Sequence, residues 1–315
     1  METHVLPAPR FTLRQLHYFA AVARSGQISA AAAEVGLSQS AMTLAVAELE
    51  RLLGAPLLER GRSGVALTAE GQVFLQHAHA VLQCADEAAR LPFKRQAELS
   101  GRVELAATYT VLGYFLLPAL ARFKQLHPRV QVDLVELPRP EIEARLHAGR
   151  LQMGALLLSN LEQPAGLQQR VLARSRRQLW VAGDHPLAHL GSVPWAALAG
   201  QPYILLQVDE GDRNALAWWQ AAGGQPARFI RTSSMEALRE MVALGLGVTI
   251  LSDMVFRPWS LDGRRIRALP VDAHLPVMEI GLAWAGAAAA DPCVDALQDF
   301  LGRAFGAPAA AVSSA

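Results

Sequence analysis

The sequence predicts an α-helical winged helix-turn-helix at its N-terminus, followed by an α/β domain of about 200 residues. Three observations predict this. Short helical patterns are punctuated by Gly26, Gly36 and Gly54. Two short apolar runs flank the Gly-rich turn Gly61-Arg62-Ser63-Gly64. After Gly101, strand-like and helix-like segments alternate.

Taking the elements in order, Thr12-Leu13-Arg14-Gln15 has the form of a capping box. Leu16, Phe19, Ala20 and Ala23 then recur at helical spacing. A second short helix runs from Ser29 to Val35, and Ala32 lets the next helix pack closely. Ser38 caps a third helix, whose apolar face is Ala41, Leu44, Ala45, Leu49 and Leu52. Leu57 to Leu67 reads as a hairpin. Thr68 caps a long helix in which Phe74, Ala78, Val81, Ala85 and Ala88 form a coiled-coil-like seam, ended by Pro92. The polar stretch Lys94 to Gly101 is the domain boundary. Beyond it, strands are expected at Val103–Ala107, Val130–Leu134, Met153–Leu158, Gln178–Ala182, Tyr203–Leu206, Phe229–Arg231, Val248–Leu251 and Ile266–Leu269. Helices are expected at Leu112–Leu126, Glu141–Leu146, Arg213–Ala222, Met235–Leu244 and Cys293–Phe305. This alternation argues for a parallel sheet with helices on its faces.

Composition narrows the function classes. The chain has 315 residues, 52% of them hydrophobic, and a formal charge of +1. It buries sizeable cores, and no general positive field marks it as a nucleic-acid binder. Phosphate contacts must come from local placement and backbone N–H groups. Two cysteines, Cys84 and Cys293, argue against a disulfide framework. Met1 to Phe11 does not read as a signal peptide, and the longest apolar run, Ile280 to Ala290, is too short to span a bilayer. The expectation is a cytoplasmic protein with no membrane association.

The helix beginning Ser38-Gln39-Ser40 and the Arg-bearing hairpin carry the DNA-binding reading. The second helix of a helix-turn-helix enters the major groove with its N-terminal residues on base edges. Ser38, Gln39, Ser40 and Thr43 are the candidate base contacts, and Arg60 and Arg62 the candidate wing contacts. The competing reading makes the helix residues mere caps and surface.

Leu13-Arg14-Gln15-Leu16, Ser29-Ala30-Ala31-Ala32-Ala33-Glu34, Leu37-Ser38-Gln39-Ser40-Ala41, Leu49-Glu50, Leu53-Gly54-Ala55-Pro56-Leu57-Leu58-Glu59-Arg60 and Leu67-Thr68-Ala69-Glu70-Gly71 together resemble the N-terminal domain of LysR-type transcriptional regulators. Asp184-His185-Pro186-Leu187-Ala188 and Gly245 to Leu251 are similar to segments of the family's effector domain. The resemblance implies a DNA-binding domain over 1–67, a linker and dimerisation helix over 68–93, and an effector domain over 101–308. That effector domain would consist of two Rossmann-like subdomains, as in periplasmic binding proteins. Lobe I would take about 101–173 and 270–308, and lobe II about 174–269. The implied partners are duplex promoter DNA, a small-molecule effector, RNA polymerase, and further copies in a homodimer or homotetramer. One departure stands out. Family members commonly carry an arginine in mid recognition helix, but no basic residue lies between Ser38 and Glu50. Leu44 can touch a thymine methyl but cannot bind guanine or phosphate.

Strand-end hydroxyls beside helix starts suit an effector site. The candidates are Thr108, Tyr109 and Thr110, then Ser159, Asp209, Thr232 and Ser233, with Thr249 beside a Gly-rich turn. Each also reads as an ordinary N-cap or loop residue. Asp209 disfavours an anion beside it and points to a ligand carrying an amine or hydroxyl. Arg174 to Arg177 and the His185/His189 pair read as solvated, and Trp218 and Trp219 as packing residues. No metal site, cofactor or enzymatic activity is expected: G-x-S-x-G, G-x-x-x-x-G-K-[ST], H-E-x-x-H and Cys/His clusters are all missing. The alternative is a cytoplasmic small-molecule-binding protein, or an enzyme, with an accessory helix-turn-helix.

Overall fold

The computed structural model describes residues 11–61, 64–90, 99–286 and 291–305. The chain divides into two compact units, Met1–Arg95 and Gln96–Ala315.

In the first unit, α1 (Leu13–Ser25), α2 (Ile28–Glu34) and α3 (Gln39–Leu53) precede a hairpin of β1 (Leu58–Gly61) and β2 (Gly64–Leu67). The long helix α4 (Ala69–Arg90) follows. Both halves of the capping box form: the Thr12 hydroxyl accepts from Gln15 N, and Gln15 Oε1 accepts from Thr12 N. Gly26 ends α1 at φ 69°, a left-handed position where glycine carries no Cβ penalty. Leu16, Phe19, Val22, Ala32, Met42, Val46, Leu49 and Leu57 make the core.

Two polar side chains set the wing. Glu50 Oε1 accepts from Leu57 N (2.8 Å) and Leu58 N (3.0 Å), which fixes β1 against α3. The Thr68 hydroxyl donates to Pro56 O and accepts from Gly71 N, joining the start of α4 to the same segment. Glu50→Ala leaves both N–H groups without this acceptor. We expect it to cost about 1–3 kcal/mol in chemical denaturation, and Glu50→Gln, which keeps an acceptor oxygen, much less.

The expected seam of α4 is redrawn. Phe74 and Ala78 pack into this unit's own core, with the Phe74 ring against Phe11 and Phe19. Val81 of the expected seam lies exposed instead, on a stripe with Val73, His77 and Cys84, while the Ala88 side chain lies outside the described residues.

The second unit opens with β3 (Gly101–Ala107), α5 (Tyr109–Val111), a π-helical turn at Leu112–Leu116 and α6 (Leu117–Leu126). Next come β4 (Val130–Glu136), α7 (Arg139–His147), β5 (Met153–Leu157), β6 (Leu167–Ser175), β7 (Arg177–Ala182) and β8 (Val193–Pro194). Then follow β9 (Pro202–Leu206), α8 (Gly211–Ala221), β10 (Arg228–Thr232), α9 (Met235–Ala243) and β11 (Thr249–Ser252). β12 (Ile266–Leu269), β13 (Val271–Asp272), β14 (Met278–Ala285) and α10 (Pro292–Phe305) complete it.

One sheet has the order β4-β3-β5-β14-β6. Here the expectation of a parallel sheet holds only for β4-β3-β5. β14 returns from the other half of the unit and inserts antiparallel between β5 and β6. The other half holds β11-β7-β12, all antiparallel neighbours, and the parallel pair β10-β9. Each half has its own apolar clusters, one around Phe123, Ile280 and Leu297 and another around Tyr203, Trp219 and Leu269. The Arg174–Arg177 run is not simply solvated, because Arg177 lies over the Trp218 ring at 4.4 Å. Burial pulls the Arg177 guanidinium down to about 10. His185 is also engaged, accepting from Leu187 N and bonding Gln201.

Candidate functional site

In the first unit the candidate residues cluster at the start of α3. Gln39, Ser40 and Leu44 are exposed and, with Thr43, line one open depression. Their chemistry is not equivalent. Ser38 is occupied as the N-cap, its hydroxyl accepting from Ala41 N and bonding the Ser40 hydroxyl. The Thr43 hydroxyl donates back to Gln39 O at 2.9 Å, so toward an outside group it can only accept. The Gln39 carboxamide makes no hydrogen bond within the described residues and keeps its donor and acceptor pair. The nearby cations are matched within the unit: Arg51 pairs with Glu48 through two bonds, and Arg24 with Glu34. Arg60 lies on β1 with its side chain outside the described residues, and Arg62 lies outside them altogether.

In the second unit three strand ends converge. β3 runs into Thr108, β5 into Asn160, and β9 into Asp209 and Glu210. Asp209 Oδ2 accepts from Thr110 N at 2.7 Å, tying the half that carries β9 to the half that carries β3. Asn160 Nδ2 donates to Asp209 O (2.9 Å) and to Glu210 Oε2 (3.1 Å). Asp209 and Glu210 have φ of 50° and 56°, the only positive-φ non-glycines among the described residues. Each such residue costs about 1–3 kcal/mol and persists only where its surroundings hold it. Here the holding groups are Thr110, Asn160 and Arg139.

Arg139, 5% exposed, gives Nη1 to Glu143 (2.5 Å) and Nε to Glu210 (2.9 Å), and lies 3.0 Å from Glu162. Arg213 completes the group by binding Glu162 at 2.7 Å. Three carboxylates, Glu143, Glu162 and Glu210, thus share two guanidiniums, with the Asp209 carboxylate beside Glu210. Burial pushes the Asp209 carboxyl above its ordinary range, and the negative charge of Glu210 adds to this. The bond from Thr110 opposes it, as does the Thr108 hydroxyl lying close by. That hydroxyl is 2% exposed and meets no partner at hydrogen-bonding geometry.

A second crossing is aromatic. Tyr109 and Tyr114 pack against the cluster of Trp180, Ile204, Met235 and Phe256. The π-helical turn carries Tyr114, and the guanidiniums of Arg239 and Arg257 lie 5.2 and 5.7 Å from its ring centre. Arg239 also reaches the Tyr114 hydroxyl (3.4 Å) and Val255 O (2.8 Å), with its Nε buried and unpartnered.

The structure therefore joins Thr108, Tyr109, Thr110 and Asp209. Ser159 does not join them: its hydroxyl accepts from Glu279 N, and the next residue, Asn160, makes the crossing. Thr232 binds Ser234 N locally, and Ser233 is exposed. Thr249 is corrected. It sits inside β11 at 1% exposure and donates to Ile204 O, so it lines no opening. Its place beside the Gly-rich turn suggested a lining position, but Thr249 is already the first residue of the strand. Arg139, Asn160, Glu210, Tyr114 and Arg239 were missed. Their spacing in sequence carries no signal, since only tertiary contact unites them.

No helix among the described residues is long and apolar enough to cross a membrane, and no group of three or more His, Cys, Asp or Glu among them could hold a metal ion.

Residues 13–72 match the family model for the bacterial regulatory helix-turn-helix protein, lysR family, and residues 96–306 match the LysR substrate binding domain. The HTH-type transcriptional regulator YdcI of Escherichia coli K12 is 34% identical over 59% of this chain, a match spanning 61% of that relative's own length. The hydrogen peroxide-inducible genes activator of Escherichia coli O157:H7 is 28% identical, covering 86% of this chain and 88% of that protein. The crystal structure of HinK, a LysR family transcriptional regulator from Pseudomonas aeruginosa, shares the fold with a TM-score of 0.59 at 23% identity. It covers 92% of this chain and 97% of that one.

Proposed function

The chain belongs to the LysR family of bacterial helix-turn-helix transcription regulators, and from that premise we propose how its own residues serve such a regulator. The start of α3 enters the major groove, with Gln39 and Ser40 on base edges and the wing arginines Arg60 and Arg62 on the backbone. Two copies pair through α4, on the stripe Val73, His77, Val81 and Cys84, and sedimentation of the full chain reads that pairing. The protein works in the cytoplasm beside RNA polymerase and is a regulator rather than an enzyme.

The effector binds where the two halves of the second unit meet, at Thr108, Tyr109, Thr110, Asn160 and Asp209. The observation that carries this is the 2.7 Å bond from Thr110 N to Asp209 Oδ2. It ties the halves through a half-buried carboxylate on a strained loop, beside a buried hydroxyl with no partner. A ligand that satisfies Thr108 and faces Asp209 can shift the halves relative to one another. The surplus of carboxylates favours an effector bearing an amine or hydroxyl. Peroxide is a poor fit. A disulfide formed within one such unit needs two thiols, and this one has only Cys293, which is buried.

A thermal-shift screen of small acids and amines tests the site. Ligands that stabilise the full chain should lose their shift in both Thr108→Val and Asp209→Asn, and a shift that survives both places the effector elsewhere. Asp209 also has a pH signature. Its folded pKa is raised, so the native state holds the proton more tightly than the unfolded one. Its contribution is therefore fully present below the ordinary carboxylate pKa and is lost as pH rises through the raised value. Asp209→Asn keeps an acceptor for Thr110 without the buried charge. The variant should match wild type at low pH and become the more stable protein as pH rises through that window. Equal melting at every pH would remove burial as the cause.

A further inference from the structure

We propose that Leu44 is a specificity-determining residue that reads the C5-methyl group of a thymine in the major groove. The inference rests on the DNA-binding reading above.

Leu44 does not serve the fold. The inward apolar residues of α3, Met42, Val46 and Leu49, are buried, whereas Leu44 is 71% exposed. A lone exposed leucine is common on protein surfaces and means little by itself. Its surroundings give it meaning. Ser40, Leu44 and Ala47 are exposed and spaced four and three residues apart, so the strip along the outward face of α3 is uncharged and, beyond Ser40, apolar. Gln39 lies at the N-terminal end of this strip, about 7 Å of helix axis from Leu44, so the two reach different base pairs.

The rest of the face lacks the groups that read guanine. Guanine presents two acceptors, O6 and N7, and needs a donor, most often from arginine or lysine. Between Ser38 and Glu50 there is no basic residue. The next cation along, Arg51, is held by both oxygens of Glu48. Thr43 gives its one hydroxyl proton to Gln39 O. A guanine opposite Leu44 would lose water from both acceptors and gain no donor. A thymine there would bury its methyl group against the leucine and expose one acceptor, O4, to desolvation where guanine exposes two. The Gln39 carboxamide, with no partner inside the protein, retains the donor and acceptor pair that suits adenine. The face therefore reads adenine by hydrogen bonds and thymine by apolar contact.

The test uses the full-length protein and a randomised duplex library. Selection by wild type is expected to fix a thymine at one position of each half-site. Replacing that thymine with uracil removes only the methyl group. It should weaken wild-type binding about fourfold, the worth of one buried methyl. Leu44→Ala should bind thymine and uracil duplexes equally, while retaining its selectivity at the adenine read by Gln39. Leu44→Arg should move the preference at that position to guanine and steepen the salt dependence. Because Leu44 is exposed, all variants should melt as wild type does. Equal wild-type affinity for the thymine and uracil duplexes overturns the inference while the DNA-binding reading stands, as does selection of guanine at that position. Retention of no duplex at any sequence overturns the DNA-binding reading and the inference with it.

Discussion

Arg139→Ala is expected to destabilise the second unit by about 3–5 kcal/mol, the range for breaking a buried ion pair from one side. The guanidinium is 5% exposed and serves three carboxylates, Glu143, Glu210 and Glu162. Glu143 is equally buried and also accepts from the backbone N–H of Gln163 at 2.8 Å, so it cannot swing out to water without undoing that turn. Deleting the arginine strands a negative charge inside the protein. For a unit of this size the expected loss in melting temperature is about 6–20 °C. The arrangement also makes a second, sharper expectation. Replacing Arg139 and Glu143 together with residues of similar volume should cost far less than Arg139→Ala alone, because it removes the stranded charge with its partner. Amide exchange on the full chain separates this from general damage: protection should fall over the second unit and hold over α1 to α3. A loss below about 1 kcal/mol would mean that water already reaches Glu143. Because Arg139 holds Glu210, the same variant should also release the left-handed pair Asp209-Glu210 and weaken binding of any effector seated beside them.

What could be read from the sequence follows the range of the interactions. Local chemistry was legible. Thr12, Ser38, Gly26 and Gly54 act through bonds spanning a few residues, and their elements begin and end where such bonds dictate. Alternation of strand and helix conveyed the α/β class, but not the place of β14, because an antiparallel insertion between β5 and β6 depends on a chain return that periodicity does not encode. β6 was missed for a related reason. Its burial is irregular, with polar residues at Gln168, Gln169, Arg170 and Arg174, so it gives no clean two-residue period. The residues proposed for the effector site divide the same way. Thr108, Thr110 and Asp209 stand at strand ends, a position visible in sequence. Arg139, Asn160 and Glu210 matter only because folding brings residues 50 and 71 positions apart within bonding distance. Thr249 shows the opposite error, a hydroxyl whose residue type suited a ligand but whose partner is the neighbouring strand.

Gly71→Ala should have the other large effect, confined to the DNA-binding unit. Gly71 lies in the first turn of α4, where the helix presses directly on the backbone of Leu57. A Cβ at this position would fall far inside van der Waals contact distance of the Leu57 carbonyl oxygen and crowd its carbonyl and α carbons. These are backbone atoms, so no side chain can rotate away. The carbonyl is itself engaged, accepting from Thr68 N at 3.0 Å. Relief requires α4 or the 56–58 segment to move. That segment is held from the other side by Glu50, through Leu57 N and Leu58 N. The displacement therefore passes to α3 and to the wing, the two elements proposed to enter DNA together. Overpacking of this kind costs about 1–3 kcal/mol, and more where backbone must shift. The expected outcome is a loss of protection over α1 to α3 and a fall in DNA affinity at every sequence, with the second unit's melting unchanged. That pattern differs from Leu44→Ala, which should alter preference at one base and leave stability alone. If Gly71→Ala binds DNA as wild type does, α4 is free to slide along the wing, and the close approach at Leu57 does not fix the position of the recognition helix.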